Sequence, residues 1–145
     1  MLDRSRILSL IPHQGRMCLL DRVEEWGEAA IVCSAVSHLD PANPLRRDGR
    51  LGIACGIEYG LQAAAVHGAL CDGAAQAPGY LASLRSVRFA VERLDDPWIG
   101  RLAVHAEALL REPRGMVTRI ALRAADGRVL LEAKASIVIQ PLPTP

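Results

Sequence analysis

Residues 51–70, LGIACGIEYGLQAAAVHGAL, hold one carboxylate, Glu58, in a run that is otherwise apolar, small or uncharged. No other stretch of the chain is as long and as free of charge, and its spacing predicts one long helix buried on most of its faces. At about 100° per residue, Leu51, Cys55, Glu58, Gln62, Ala65 and Ala69 fall on a common stripe. A carboxylate on such a stripe must be paired, neutralised by a raised pKa, or solvated in a cleft, because burial as a bare charge costs too much. The segment before it, 38–50 (HLDPANPLRRDGR), carries two prolines in four residues and is expected to be irregular. Asp48 or Gly49 is the expected helix cap.

The remaining segments read as strands. Residues 1–11 form a short amphipathic turn that Pro12 ends. Residues 17–26 and 29–36 have the length of two strands joined by a hairpin. After the helix, 72–79 is a Gly, Ala and Pro loop, and strands over 81–94, 101–111, 116–125 and 128–140 follow as a meander, with Asp126-Gly127 as a two-residue turn. PLPTP is an extended tail. The fold class is therefore α+β, one long helix against a curved antiparallel sheet of five to six strands. A chain of 145 residues is expected to be a single domain over its whole length.

Composition removes several classes of function. Net charge is +1, with no run of Lys or Arg and no aromatic platform, so nucleic acid is a poor partner. The four cysteines, Cys18, Cys33, Cys55 and Cys71, include no CxxC pair, which argues against zinc and, with no secretory leader in view, for reduced thiols in the cytoplasm. Four glycines and Glu58 interrupt the helix too often for a membrane span.

Three motifs in order resemble one family. PHQGRMCLLDRV from Pro12 is similar to the PHRxPxLLVDRV opening of the β-hydroxyacyl-acyl carrier protein dehydratases of the hotdog fold; His38 with Asn43-Pro44 resembles their GHFPGNP loop; and Glu58 with Gln62 resembles their ExxxQ helix motif. The spellings NPLRRDGRL and GIEYGLQAAAVHGAL look most like the dehydratase-like proteins of aryl polyene biosynthesis. The pattern departs from the family in Ser37 before His38, in Leu39-Asp40-Pro41 after it, and in DGRLG at the helix start.

The resemblance implies dehydration of a (3R)-3-hydroxyacyl thioester, carried on the phosphopantetheine of acyl carrier protein, to the trans-2-enoyl thioester, without a cofactor or metal of its own. Removing a proton from C2 and protonating the hydroxyl that leaves C3 needs one base and one acid. His38 is the expected base and Glu58, kept neutral by apolar surroundings, the expected acid. Amides around Gly52, Ile53 and Ala54, at the positive end of the helix, are candidates to hold the enolate oxygen. Gln62, one turn past Glu58, would hold its carboxyl. The resemblance further implies a dimer, with itself or with a related hotdog subunit, in which His38 of one subunit meets Glu58 of the other.

Other residues are assigned duller roles. His13 is expected to make a structural hydrogen bond, His67 lies round the helix from Glu58, His105 sits mid-strand in solvent, and Asp21 with Arg22 reads as a supporting pair. Arg85, Arg88 and Arg93 are candidates on one strand to meet an acidic carrier protein. Two other functions stay open: a hotdog thioesterase using Glu58 alone, and a noncatalytic partner of a related dehydratase.

Overall fold

A computed structural model describes residues 1–139. The first helix, α1 (Arg4–Leu10), is capped by Asp3, whose carboxylate accepts from the Arg6 amide, and buries Ile7 and Leu10. A single turn at Gly15–Met17 leads into β1 (Arg22–Trp26) and β2 (Ala30–Ala35). The first strand is shorter than expected, because 17–21 serves as a strap across the central helix. That helix, α2 (Gly56–Asp72), ends at Gly73, whose left-handed backbone (φ 68°) closes the last turn. The remaining strands are β3 (Gly79–Phe89), β4 (Leu102–Glu112), β5 (Gly115–Arg123) and β6 (Val129–Ile139). The PLPTP tail and the last residue of the expected final strand lie outside the described residues.

The six strands form one antiparallel sheet in the order β1-β2-β4-β5-β6-β3. The expected meander holds for β4, β5 and β6. β3 departs from it: instead of pairing with β4 it crosses to the far edge and pairs with β6 alone among the described strands. Alternation puts Leu102, Val104 and Ala106 of β4 and Ile120 and Leu122 of β5 on the inner face, where they meet α2. The helix lies close because it has no side chain where it touches: a Cβ at Gly60 would come within 2.6 Å of Ile120 Cδ1. This is the hotdog arrangement, a long helix wrapped by a curved sheet.

Two local expectations change. Neither Asp48 nor Gly49 caps α2; both have positive φ (52° and 74°) in a turn where Arg47 and Arg50 exchange backbone hydrogen bonds. A turn of 3-10 helix over Ile53–Cys55 leads into α2 instead. In β3 every residue is exposed or half-buried, and Tyr80, Leu81, Leu84, Val87 and Phe89 show much of their surface to solvent.

Candidate active site

The strap over α2 decides which groups reach Glu58. Gln62, fully buried, accepts from the Leu19 amide (2.9 Å) and donates to the Met17 carbonyl (2.7 Å). Those bonds fix the chain from Pro12 onward against one face of α2. One helical turn before Gln62, Glu58 Oε1 lies 3.2 Å from His13 Nε2, with both side chains about a third exposed (29% and 34%). The hydrogen bond from His13 is the main reason the Glu58 carboxyl sits below its ordinary pKa; burial opposes it, and the His13 charge and a hydrogen bond from Gln62 add to it.

Glu58 is therefore a carboxylate at neutral pH, and the expectation of a neutral acid is corrected. Its stripe of α2 is not sealed: a partner within hydrogen-bond reach and an open cavity outweigh desolvation. As an ionised group it can only accept, so His13 donates through Nε2–H, and in the neutral ring Nδ1 carries the lone pair. Nδ1 is shut off from bulk water and has no hydrogen-bond partner among the described residues.

Both side chains line a cavity of about 340 Å³. Its walls are Ala54 from the turn before α2, Ile57, Leu61 and Ala65 from the first part of α2, Leu81 of β3, Met116 of β5, and Ile137 and Ile139 of β6, with Pro12, Gln76, Ala77 and Gly79 completing the rim. An apolar pocket with two convergent polar side chains is the usual form of a small-molecule site.

His38 is placed elsewhere. Within one protomer it stands apart from Glu58: His38 is 0% exposed, its Nε2–H donates to the Gly100 carbonyl at 2.7 Å, and it does not line the cavity. Burial lowers its pKa, which leaves it neutral. Arg46 holds the loop over it, donating to the carbonyls of Asp40 (2.9 Å) and Gly49 (3.3 Å) and to the Asp95 carboxylate (3.1 Å). Asn43 donates to the Ser37 carbonyl and to Tyr59 Oη, while burial pushes the Tyr59 phenol up to about 12. The Asn-Pro motif thus builds a polar plug beside α2.

A profile of the ApeP-like family, described as ApeP dehydratase, matches residues 5–143. The chain belongs to the ApeP-like dehydratase family. Among solved structures, the dehydratase heterocomplex ApeI:P from Xenorhabdus doucetiae superimposes with a TM-score of 0.80 at 21% identity, covering 93% of this chain and 91% of that one. A mutant of the thioesterase PA1618 from Pseudomonas aeruginosa gives 0.59 at 18% identity, covering 83% and 81%. The hypothetical protein SAV0944 from Staphylococcus aureus, also a mutant, gives 0.60 at 15% identity, covering 83% and 93%. No curated protein sequence matches.

In this ApeP-like chain the other expected residues fall as follows. Ala54 alone of the three candidate amide positions lies on the cavity wall; the Ile53 amide is bonded to the Glu92 carbonyl (3.0 Å), and Gly52 pairs with Arg93 in an isolated bridge. Asp21 accepts from the Val36 amide (2.6 Å) while Arg22 turns to Glu24, so they are not a pair. Arg85 and Arg88 are exposed on β3, but Arg93 lies beyond it and clasps Asp95 at 2.7 and 2.8 Å. His67 Nε2 is bonded to the Gly27 carbonyl, and His105 is half-buried, not open to solvent. Sequence reasoning missed His13 as a partner of Glu58 and Arg46 and Asp95 as loop anchors. The signal for His13 was its place in the same opening motif whose Met17 and Leu19 dock on Gln62.

Among the described residues, no group of His, Cys, Asp and Glu could hold a metal ion, and no helix is long and apolar enough to cross a membrane.

Proposed function

We propose that this chain removes water from a 3-hydroxyacyl thioester presented on the phosphopantetheine arm of an acyl carrier protein, with the His13–Glu58 pair moving the proton. One observation carries the reading: an imidazole and an ionised carboxylate, hydrogen-bonded at 3.2 Å on the wall of an apolar cavity, in a member of a dehydratase family. With His13 Nδ1 closed off, the pair meets substrate through Nε2 and the Glu58 carboxylate, the partly exposed side on the cavity wall, and the carboxylate stabilises the imidazolium. The His13–Glu58 pair takes the C2 proton, the electron pair moves into the C2–C3 bond as the C3–O bond breaks, and the pair returns that proton to the departing hydroxide as water. The Ala54 amide, at the start of α2, is the candidate donor to the thioester oxygen.

His38 as the base, meeting Glu58 of a partner subunit, is the weaker form of this proposal. A side chain with no exposed surface cannot touch a second subunit unless the Arg46-pinned loop opens first. The partner itself is well motivated. β3 is an edge strand whose residues are exposed or half-buried, and a related hotdog subunit laid along it would cover it; the similar ApeI:P dehydratase is a heterocomplex. Arg85 and Arg88 on the same strand then lie near the entrance for an acidic carrier protein. Fatty acid or aryl polyene type biosynthesis is the setting that supplies such substrates.

The ionised Glu58 also supports a second reading, a thioesterase in which the carboxylate activates water. Incubation with 3-hydroxyacyl carrier protein, alone and with a co-expressed hotdog partner, separates them. Mass spectrometry of the carrier arm should show loss of water; release of free acid with the arm left bare would make the chain a thioesterase. No change under either condition would leave it a binding subunit.

A further inference from the structure

The cavity beside Glu58 has a neighbour. A second cleft, of about 400 Å³, is lined by Asp72, Gln76, Arg111, Glu112, Pro113, Gly115, Met116 and Ile139. Gln76, Met116 and Ile139 belong to both walls, so they are the partition between the two spaces. The two spaces differ in character: aliphatic side chains dominate the first, while Asp72, Arg111 and Glu112 make the second polar. Measured along α2, the first space extends from Glu58 to Ala65, seven residues or about 10 Å, and Asp72 of the second lies about 21 Å from Glu58.

Gln76 differs from the other two partition residues, which are strand residues of the sheet. It stands on the loop after α2, yet it is fixed at both ends. Its amide donates to the Leu10 carbonyl (3.0 Å), and its side-chain Nε2 donates to Asp72 Oδ2 (3.1 Å). Asp72 is itself held by Arg111 (2.8 Å), which also donates to the Gly68 carbonyl. The carboxamide lies flat against Gly68: a Cβ there would come within 3.0 Å of Gln76 Oε1. A polar, tethered side chain thus closes the far end of an apolar acyl space.

We propose that Gln76 sets the length of acyl chain this site accepts, by walling the apolar cavity off from the Asp72–Arg111 cleft. The proposal rests on the reading of that cavity as the acyl site. It concerns specificity, since the Gln76 side chain is tied to Asp72, away from the His13–Glu58 pair.

The test uses binding, so it does not depend on turnover. Pantetheine amides of increasing saturated acyl length, in which nitrogen replaces the thioester sulfur, are titrated into the full-length protein by calorimetry. For the wild type, each added methylene should tighten binding about fourfold (about 0.8 kcal/mol) until the cavity is full, after which affinity levels off. In Gln76→Ala the plateau should move to longer chains, and a terminal hydroxyl should gain over a terminal methyl once the chain enters the polar cleft. An unchanged plateau in Gln76→Ala, or wild-type binding that shows no dependence on acyl length, overturns the proposal. If Gln76→Ala fails to fold, Gly68→Ala serves: the new methyl displaces the carboxamide and must shift the plateau, and an unshifted one overturns the proposal equally. A shifted plateau in a protein that removes no water supports the wall while retiring the dehydratase reading, so the two failures are distinct.

Discussion

Replacing His13 and His38 in turn by alanine should produce opposite results, and the structure sets the size of each. His38 is wholly buried and its Nε2–H satisfies the Gly100 carbonyl. Its removal forfeits that hydrogen bond, about 1 kcal/mol, and leaves a cavity the size of a ring, about 2 kcal/mol more. Unfolding entropy of about 2.1 cal/mol/K per residue gives about 0.3 kcal/mol/K for this chain, so about 3 kcal/mol lowers Tm by about 10 °C. His13 is 29% exposed and its bond to Glu58 is open to water, so its loss costs less than about 1 kcal/mol and shifts Tm by no more than about 3 °C. Turnover should respond the other way: about 10² to 10⁴-fold slower for His13→Ala, as for a lost general base, and within about tenfold of wild type for folded His38→Ala. Calorimetric melts and the initial rate of enoyl formation from a 3-hydroxyacyl carrier protein measure both quantities on the same preparations. If His38→Ala melts like the wild type and is inactive while His13→Ala turns over normally, the assignment of the base is wrong.

Asp95→Asn should lower Tm by about 3 to 6 °C, because the 2%-exposed carboxylate accepts from Arg46 and from a solvent-exposed Arg93, and weakening those charged hydrogen bonds costs about 1 to 2 kcal/mol. Glu58→Gln should flatten part of the acid denaturation curve: the folded pKa lies below 4.5, so the unfolded chain binds more protons there, and stability present above that range is lost as pH falls through the folded value. Chemical denaturation at a series of pH values would show the wild-type slope to be steeper than the variant's below about pH 5. Gly60→Ala should destabilise by about 1 to 3 kcal/mol despite the better helix propensity, since its methyl would meet Ile120, and Ile120→Val should recover part of the loss.

Much of the architecture was legible because period and punctuation agree. The apolar run around Glu58 could only be a buried helix, and the alternation of Leu102, Val104 and Ala106 and the Asp126-Gly127 turn placed β4, β5 and β6. The position of β3 was not legible. Its own alternation says strand but not which neighbour it takes, and the pairing with β6 joins segments far apart in the chain. In the site, Glu58 and Gln62 could be read from helical spacing, whereas the partner of Glu58 could not. His13 comes from a non-helical strap whose path is set by two backbone bonds to Gln62, and bonds to backbone leave no trace in side-chain spelling. The burial of His38 was likewise not legible, because Arg46, eight residues on, holds its loop through Asp95, a contact between distant segments.

The place of β3 also has a consequence for how the molecule comes into being. Its neighbour in the sheet, β6, leaves the ribosome after it, with β4 and β5 in between. Until then Leu84, Val87 and Phe89 travel with an unpaired backbone, and closing so long a loop is slow compared with zipping the β4–β5–β6 hairpins. The newborn chain therefore passes through a stage with a sticky, unclaimed strand, and simultaneous synthesis of a subunit that can take hold of it would shorten that exposure.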